Sequence, residues 1–244
     1  MAAETLRPAF YALARGGWRD YVTLLHPPYT AWHLSYVAIG AALAPEVHAG
    51  RLLPALAAFF LAVGVAAHAL DELHGRPLGT AIPSRVLAAL ATGSLAGAVG
   101  IGLYGAATVS AWLLLFVAAG AVAVVGYGAE VAGGRLHGDL QFGLAWGAFP
   151  VLTGYFAEAE RISLAAVVAA GFAFSLSLAQ RRLSTHVRDV RRRVARVTGR
   201  LERRDGTSED VTVATLIAAE ERALRLLALS ACALALALVI MRVV

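Results

Sequence analysis

Long apolar blocks separated by short polar segments run along almost the whole chain. A helix needs about 20 mostly apolar residues to cross the hydrocarbon core of a bilayer. The pattern therefore predicts an all-α polytopic membrane protein with about seven transmembrane helices in one integral membrane domain, residues 1–244. The predicted spans are 29–44, 52–70, 84–104, 108–127, 140–157, 162–180 and 222–243.

Two segments outside these spans have a different pattern. In residues 3–25, apolar side chains recur at helical spacing and arginines share the other side, which predicts an amphipathic helix on the membrane surface. Residues 181–221 are polar and strongly basic, and we expect them to form a cytoplasmic segment. Within them, Thr207 and Asp210 have the spacing of a capping box, which predicts that the last helix begins near Ser208.

The composition is typical of a membrane protein and excludes several functions. Of the 244 residues, 59% are hydrophobic and 15% are charged, whereas soluble domains have about 25% charged residues. The chain has no lysine, which excludes a retinal Schiff base, and its single cysteine, Cys232, excludes an internal disulfide.

The net charge of +5 comes from arginines, and their placement orients the chain. They are concentrated in 71–83, in 128–139 through Arg135, and in 181–221, all on the side of the N-terminus. Because positive charge is retained in the cytoplasm, we expect a multi-pass plasma membrane protein with its N-terminus inside and its C-terminus outside. The arginines are explained by this topology, so we expect no nucleic acid partner.

The loop after the second span places ionisable residues at the end of an apolar run. Asp71 and Glu72 follow the span directly, and Arg76 comes next in the loop. Ionisable groups at membrane depth are costly, which favours a functional role. The alternative is that the two acidic residues mark the water boundary and have Arg76 as a surface partner.

The segment after the sixth span holds a second set of polar residues. In a helix, Thr185, Arg188 and Asp189 lie near one another, and Arg192 is one turn further on. This arrangement can bind an anionic ligand. The alternative is a basic helix that lies against anionic lipid headgroups.

Together, the two loops resemble the two aspartate-rich motifs of the UbiA family of intramembrane prenyltransferases. Asp71 is similar to the middle aspartate of the first motif, and the stretch from Arg76 to Ser84 is similar to the Arg-Pro-Ile-Pro-Ser segment that follows it. Arg188 and Asp189 resemble the start of the second motif. The fifth span also resembles the glycine-rich span of this family.

The motifs are degenerate, so the chain resembles a short, divergent member of the family. Ala67, His68 and Gly75 occupy positions where the first motif has asparagine or aspartate. Arg193 stands where the second motif has its second aspartate.

The resemblance implies a UbiA-type helix bundle that transfers a prenyl group from an isoprenoid diphosphate to a lipophilic or aromatic acceptor in the membrane. Mg²⁺ is the implied cofactor. The residues implied are Asp71 and Asp189 as catalytic residues, Asp71, Glu72 and Asp189 as metal ligands, and Arg76, Arg188 and Arg192 as diphosphate ligands. The missing aspartates favour an alternative, a non-catalytic protein of the same fold that binds an isoprenoid or lipid, or scaffolds a partner.

Other polar and small residues have structural interpretations. We expect His33, inside the first span, to be packed and hydrogen bonded, and Tyr127 to anchor a helix end at the membrane interface. We expect the glycines from Gly93 to Gly105 and from Gly120 to Gly128 to permit close helix contacts.

Overall fold

The structure of the protein, a computed structural model, describes residues 7–128 and 138–243. Arg135 and residues 3–6 of the predicted surface helix lie outside these ranges. The described chain is mainly helical. Its helices are α1 (Trp18–Leu24), α2 (Pro27–Ala42), α3 (Ala49–Leu73), α4 (Ser84–Thr108), α5 (Leu113–Gly128), α6 (139–159), α7 (Leu164–Arg193) and α8 (Val213–Val243).

Four helices are long and apolar enough to cross a membrane: Ala49–Leu73, Ser84–Thr108, Leu164–Arg193 and Val213–Arg242. Their outward faces carry large apolar side chains, including Leu103, Val168 and Leu229, which are exposed. Large exposed apolar surfaces of this kind mark contact with a membrane or a partner. The remaining long helices, α2, α5 and α6, coincide with the other three predicted spans.

Helix α2 lies at the centre of the bundle, packed against α6 and α8. Trp32 and Tyr36 of α2 are completely buried beside Val151 of α6, and the Trp32 Nε1 donates a hydrogen bond to the Tyr36 hydroxyl over 2.6 Å. Burying these two aromatic rings stabilises the contact, and the hydrogen bond satisfies their polar atoms.

Two glycines allow α2 and α6 to approach closely. A methyl group on Gly40 would overlap the carbonyl oxygen of Val151, and one on Gly154 would overlap the carbonyl oxygen of Val37. The tightest backbone contact among these helices is therefore not in the predicted glycine stretches. In those stretches, a methyl group on Gly93 would meet nothing within 4 Å, whereas one on Gly102 would overlap Val117.

Two helices contain π-helical segments, Phe60–Ala67 in α3 and Gly143–Ala148 in α6. Such segments leave backbone groups without their usual partners and are frequent at functional sites. A histidine donates to a carbonyl of each segment. His68 Nδ1 lies 3.1 Å from the Gly64 oxygen, and His33 Nδ1 lies 2.8 Å from the Trp146 oxygen. His33 is thus buried and hydrogen bonded, as expected.

The polar segment before α8 contains a short β-hairpin that the all-α prediction missed. Strand β1 (Arg200–Glu202) pairs antiparallel with β2 (Ser208–Asp210). The predicted helix start near Ser208 is therefore wrong. The Thr207 side chain instead bonds to Asp205 in the turn.

The actual start of α8 has a different cap. The Thr212 hydroxyl accepts from the Thr215 amide over 3.1 Å, and the Thr215 hydroxyl accepts from the Thr212 amide over 2.8 Å. This reciprocal pair satisfies amides that the first turn of a helix leaves without partners.

The predicted surface helix is also shorter than expected. In its described part, 7–25, only Trp18–Leu24 is α-helical, and residues 7–17, which we name the N-terminal strap, run in turns and bends. Gly16 and Gly17 have φ angles of 114° and 62°, which end any continuous helix before α1. The strap crosses the end of α7, where Arg191 and Arg192 donate to the carbonyls of Arg7 and Pro8 over 2.9 and 3.3 Å.

Candidate functional site

The loop after α3 is organised around the buried carboxylate of Glu72. This side chain has no solvent exposure. Its oxygens accept hydrogen bonds from the amides of Leu78 and Thr80 over 2.9 and 2.8 Å, and from the Thr80 hydroxyl over 2.8 Å. Buried carboxylates require such partners. The contacts give Glu72 a structural role, and its predicted role as a metal ligand stays a prediction.

The Arg76 side chain closes the same loop. Its guanidinium donates to the carbonyls of Thr80 and Ile82 and to the Ser84 hydroxyl, the last over 2.6 Å. These contacts hold Arg76 against its own loop. Its predicted contact with diphosphate is not supported by these interactions and stays a prediction.

Two histidines meet where the loops at this end of the bundle converge. His26, directly before α2, stacks on His68 of α3 with ring centroids 3.9 Å apart and an interplanar angle of 24°. The Tyr11 ring of the strap lies 5.3 Å from the His26 ring and 5.5 Å from the Tyr29 ring. The strap therefore brings an aromatic side chain onto the histidine pair.

Arg188 and Arg192 of α7 lie within electrostatic range of both His26 and Tyr11. Asp71 and Glu72 of α3 interact with Arg192 in the same way. We name this group the histidine–arginine cluster: Tyr11, His26, Tyr29, His68, Asp71, Glu72, Arg188 and Arg192.

Burial controls the protonation of the cluster. It is the main cause that lowers the pKa of His26 well below its usual value, and the charges of His68, Arg192 and Arg188 lower that pKa further. Burial also raises the pKa of Tyr11, and neighbouring Tyr29 and Asp71 act in the same direction against the two arginines. Near pH 7, His26 is thus neutral and Tyr11 keeps its proton.

The structure brings together some of the predicted site residues and separates others. Asp71, Arg188 and Arg192 belong to the cluster, although they come from two distant parts of the chain. Arg188 also donates to the Thr185 hydroxyl over 3.2 Å, which confirms the predicted helical proximity of these two residues.

Asp189 lies on a different side of α7. Its side chain is 52% exposed and forms an ion pair with Arg193 at 3.4 Å, one turn along the helix. Successive helical residues differ by about 100° around the axis, so Asp189 is turned away from the stripe that Arg188 and Arg192 share. The catalytic and metal-binding roles predicted for Asp189 are not supported by this contact and stay predictions.

A second polar group adjoins the cluster at the end of α5, the start of α6 and the middle of α7. The Arg181 Nε lies 2.7 Å from Asp139, and an Nη of Arg181 donates to the Tyr127 hydroxyl. The Arg181 hydrogen bond is the main cause that lowers the pKa of Asp139. Tyr127 also interacts electrostatically with Asp71 and Arg188, which connects the two groups. It therefore does more than anchor a helix end.

The described residues do not form a Mg²⁺ site of their own. They contain no group of three His, Cys, Asp or Glu side chains that could hold a metal ion. The oxygens of Glu72 already accept three hydrogen bonds, and the surroundings of Asp71 include two arginines. Mg²⁺ commonly binds through one or two carboxylates together with substrate phosphates. The site fits Mg²⁺ only as an ion that arrives with a diphosphate and contacts Asp71.

Sequence reasoning did not identify Tyr11, His26 and His68 as parts of the site. One signal was available, because His68 precedes Asp71 by one helical turn and so shares its face of α3. Tyr11 and His26 gave no such signal, since they lie outside the regular helices and reach the site through the strap and the turn before α2.

Comparisons with known proteins leave the family open. The chain matches no protein-family model, and no curated protein and no solved structure is significantly similar to it.

Proposed function

We propose that the protein is an integral membrane prenyltransferase of the UbiA type, which moves a prenyl group from an isoprenoid diphosphate to a lipophilic or aromatic acceptor. The observation that carries the proposal is that Asp71, Arg188 and Arg192 all lie within electrostatic range of Tyr11 at one end of an apolar helix bundle. In this proposal all seven long helices, α2 to α8, cross the plasma membrane. The N-terminus and the cluster are cytoplasmic, and the C-terminus is outside.

The chemistry requires stabilisation of a departing diphosphate. Arginine guanidinium groups suit this task, because they bind phosphate oxygens with two parallel hydrogen bonds and remain charged. Arg188 and Arg192 lie one turn apart on α7, so their guanidinium groups can contact one diphosphate from the same side. Such contacts stabilise the charge that develops as the bond to the prenyl carbon breaks.

Asp71 has a different role. A Mg²⁺ ion bound with the diphosphate would supply further positive charge to the leaving group, and Asp71 would hold the ion. The apolar bundle would surround the prenyl chain, and the strap brings the Tyr11 ring onto the histidine pair.

The alternative is a non-catalytic protein that binds an isoprenoid or another lipid through the same cluster. The observation that favours it is the small set of acidic ligands: no three-residue metal group lies within the described part of the chain, and Glu72 is engaged by its own loop. This alternative predicts binding of a prenyl diphosphate without turnover.

The test is Mg²⁺-dependent release of diphosphate from farnesyl or geranylgeranyl diphosphate by the purified protein with a set of lipophilic and aromatic acceptors. We expect turnover by the wild type and a loss of at least about 100-fold in Asp71→Asn. Asp189→Asn is the matched comparison, because the geometry predicts little loss and the family resemblance predicts a large one. No turnover with any chain length and acceptor would contradict the enzyme, and binding alone would support the alternative.

A further inference from the structure

The histidine pair has hydrogen-bonding capacity that the protein does not use. His68 donates its Nδ1 proton to the Gly64 carbonyl, so its neutral ring presents an unprotonated Nε2. Among the described residues, none hydrogen bonds to either ring nitrogen of His26. None of these nitrogens is among the fully buried atoms that lack a partner, so they remain accessible to a ligand.

The backbone at His26 is unusual as well. His26 has φ and ψ angles of 46° and 56°, in the left-handed region that few residues other than glycine adopt. It also precedes Pro27, which disfavours helical conformations of the preceding residue. Strained conformations of this kind cluster at binding sites and persist where the surrounding structure enforces them. Here the conformation places the His26 ring on His68.

The charges around the pair are balanced. Two arginines, Arg188 and Arg192, act on His26, and two carboxylates, Asp71 and Glu72, act on Arg192. From the other packed elements, Tyr11 of the strap and Tyr29 of α2 contribute neutral hydroxyls. Glu221 of α8, near Tyr29, is already neutralised by its ion pair with Arg191.

This balance has a consequence for any anion that binds. A phosphate or diphosphate group brings about two negative charges near neutral pH, and uncompensated charge is costly in a partly buried site. Of the groups named around the pair, the two histidines are the ones that gain a positive charge at moderately low pH. An anion near them favours their protonation, because its negative charge opposes the burial and the positive charges that keep His26 neutral.

We propose that His26 and His68, flanked by Arg188 and Arg192, form a proton-coupled binding site for a phosphate or diphosphate group. The anion binds together with a proton from solvent, and the histidine pair holds that proton. The inference deepens the proposed function, because it identifies how a diphosphate is held with few acidic metal ligands. It also applies to a lipid that ends in a phosphate monoester.

The test is calorimetric binding of inorganic diphosphate to the purified full-length protein in EDTA, in buffers of different ionisation enthalpy. We expect the wild type to take up close to one proton per bound diphosphate, in addition to any proton that the diphosphate itself takes up. Affinity should then rise as the pH falls from 8 to 6, by up to about tenfold per pH unit where the proton is taken up.

Phosphate groups themselves titrate near pH 6, so the informative quantity is the difference between the wild type and the variants. His68→Gln and His26→Asn should each lose the extra proton, and asparagine tolerates the left-handed backbone at position 26. His74→Gln is the matched control. His74 Nδ1 makes the same contact with the carbonyl four residues earlier, that of Leu70 over 3.1 Å, but its side chain is exposed. It should behave as the wild type.

The outcomes separate this inference from the proposed function. Proton-coupled binding without prenyl transfer supports the inference and contradicts the enzyme. The inference is overturned if Mg²⁺-dependent turnover occurs together with diphosphate binding that takes up no extra proton, or with the same proton uptake in all three variants. The proposed enzyme activity is then not contradicted. No binding of diphosphate in EDTA at any pH also overturns it. Parallel titrations with farnesyl diphosphate and with nanodiscs containing phosphatidic acid show which source of phosphate the site prefers.

Discussion

The two ends of α3 both combine histidine, arginine and a buried carboxylate, but they use them differently. At the start of the helix, the completely buried Glu158 side chain accepts from the His48 amide and from its Nδ1 over 2.9 and 3.1 Å. Arg51 donates to the Glu158 carbonyl and to Glu160, both over 3.0 Å. We name this group the α3 clasp.

At the other end of α3, the groups without hydrogen-bond partners are histidine nitrogens. The Glu72 carboxylate is bound by its own loop, whereas the ring nitrogens of His26 and the Nε2 of His68 have no hydrogen-bond partner among the described residues. The clasp ties the α2–α3 loop to α6 through Glu158 Oε2, and the buried Oε1 of Glu158 has no hydrogen-bond partner among the described residues. The difference indicates that similar residue types serve structure at one end and binding at the other.

The largest expected effect is a difference in turnover between variants at the two ends of α3. Arg188→Gln removes a guanidinium from the leaving group and should lower turnover by about 100- to 1,000-fold. Arg51→Gln, its counterpart in the clasp, should leave turnover within about threefold, since it touches only structural groups. Diphosphate release under saturating substrate measures both. Equal losses in the two variants would mean that activity follows stability and that the ends do not differ in function.

Part of this comparison could be predicted from the sequence. Apolar blocks located the helices of the seven predicted spans, because burial in lipid or in the bundle requires long apolar runs. Helical spacing also predicted that Arg188 lies near Thr185. Asp71 was a candidate because a carboxylate at the end of an apolar helix is costly without a function.

The rest depended on contacts between distant segments. The His26–His68 stack joins the turn before α2 to α3. Tyr11 reaches this stack through the strap, which its apolar spacing had predicted to be helical. Asp189 and Arg188 lie on different sides of α7 because successive helical residues are rotated about the helix axis. Matching the motif by sequence alone does not show this. Hydrophobic periodicity therefore predicted the helices, whereas the residues that form the site depend on how those helices pack.

The second expected effect tests the fold between the two ends. Gly154→Ala places a methyl group against the Val37 carbonyl and should destabilise the bundle by up to about 3 kcal/mol, because backbone cannot move aside easily. Gly171→Ala in α7 is the control, since its added methyl meets nothing within 4 Å. Unfolding of the purified protein, followed by loss of helical circular dichroism, compares them. Equal stability of the two variants would contradict the close α2–α6 contact.

A smaller effect tests the clasp itself. Glu158→Gln weakens two hydrogen bonds to a charged acceptor, so we expect a loss of about 2 kcal/mol in unfolding free energy. Glu46→Gln should change it by less than about 0.5 kcal/mol, because Glu46 is 82% exposed and its nearest contact with His48 is 3.6 Å. Prenyl transfer by the folded fraction should be preserved in both. A selective loss of turnover in Glu158→Gln would break the proposed division between the two ends.

The smallest effect is a pH dependence of stability that originates at the cluster, and it is expected without phosphate. The pKa of His26 is lowered on folding, mainly by burial and then by the charges of His68, Arg192 and Arg188. The unfolded chain therefore binds a proton below pH 6.5, the usual histidine pKa, while the folded chain does not, so stability is complete above about 6.5 and falls with decreasing pH. The slope for one group is at most about 1.4 kcal/mol per pH unit. In thermal unfolding, His26→Asn should reduce the loss of stability between pH 6.5 and 5, whereas His74→Gln, at an exposed position, should retain this loss. If His26→Asn lost as much stability with decreasing pH as the wild type, His26 would not be held neutral by its surroundings. The electrostatic contrast between the two ends of α3 would then be removed.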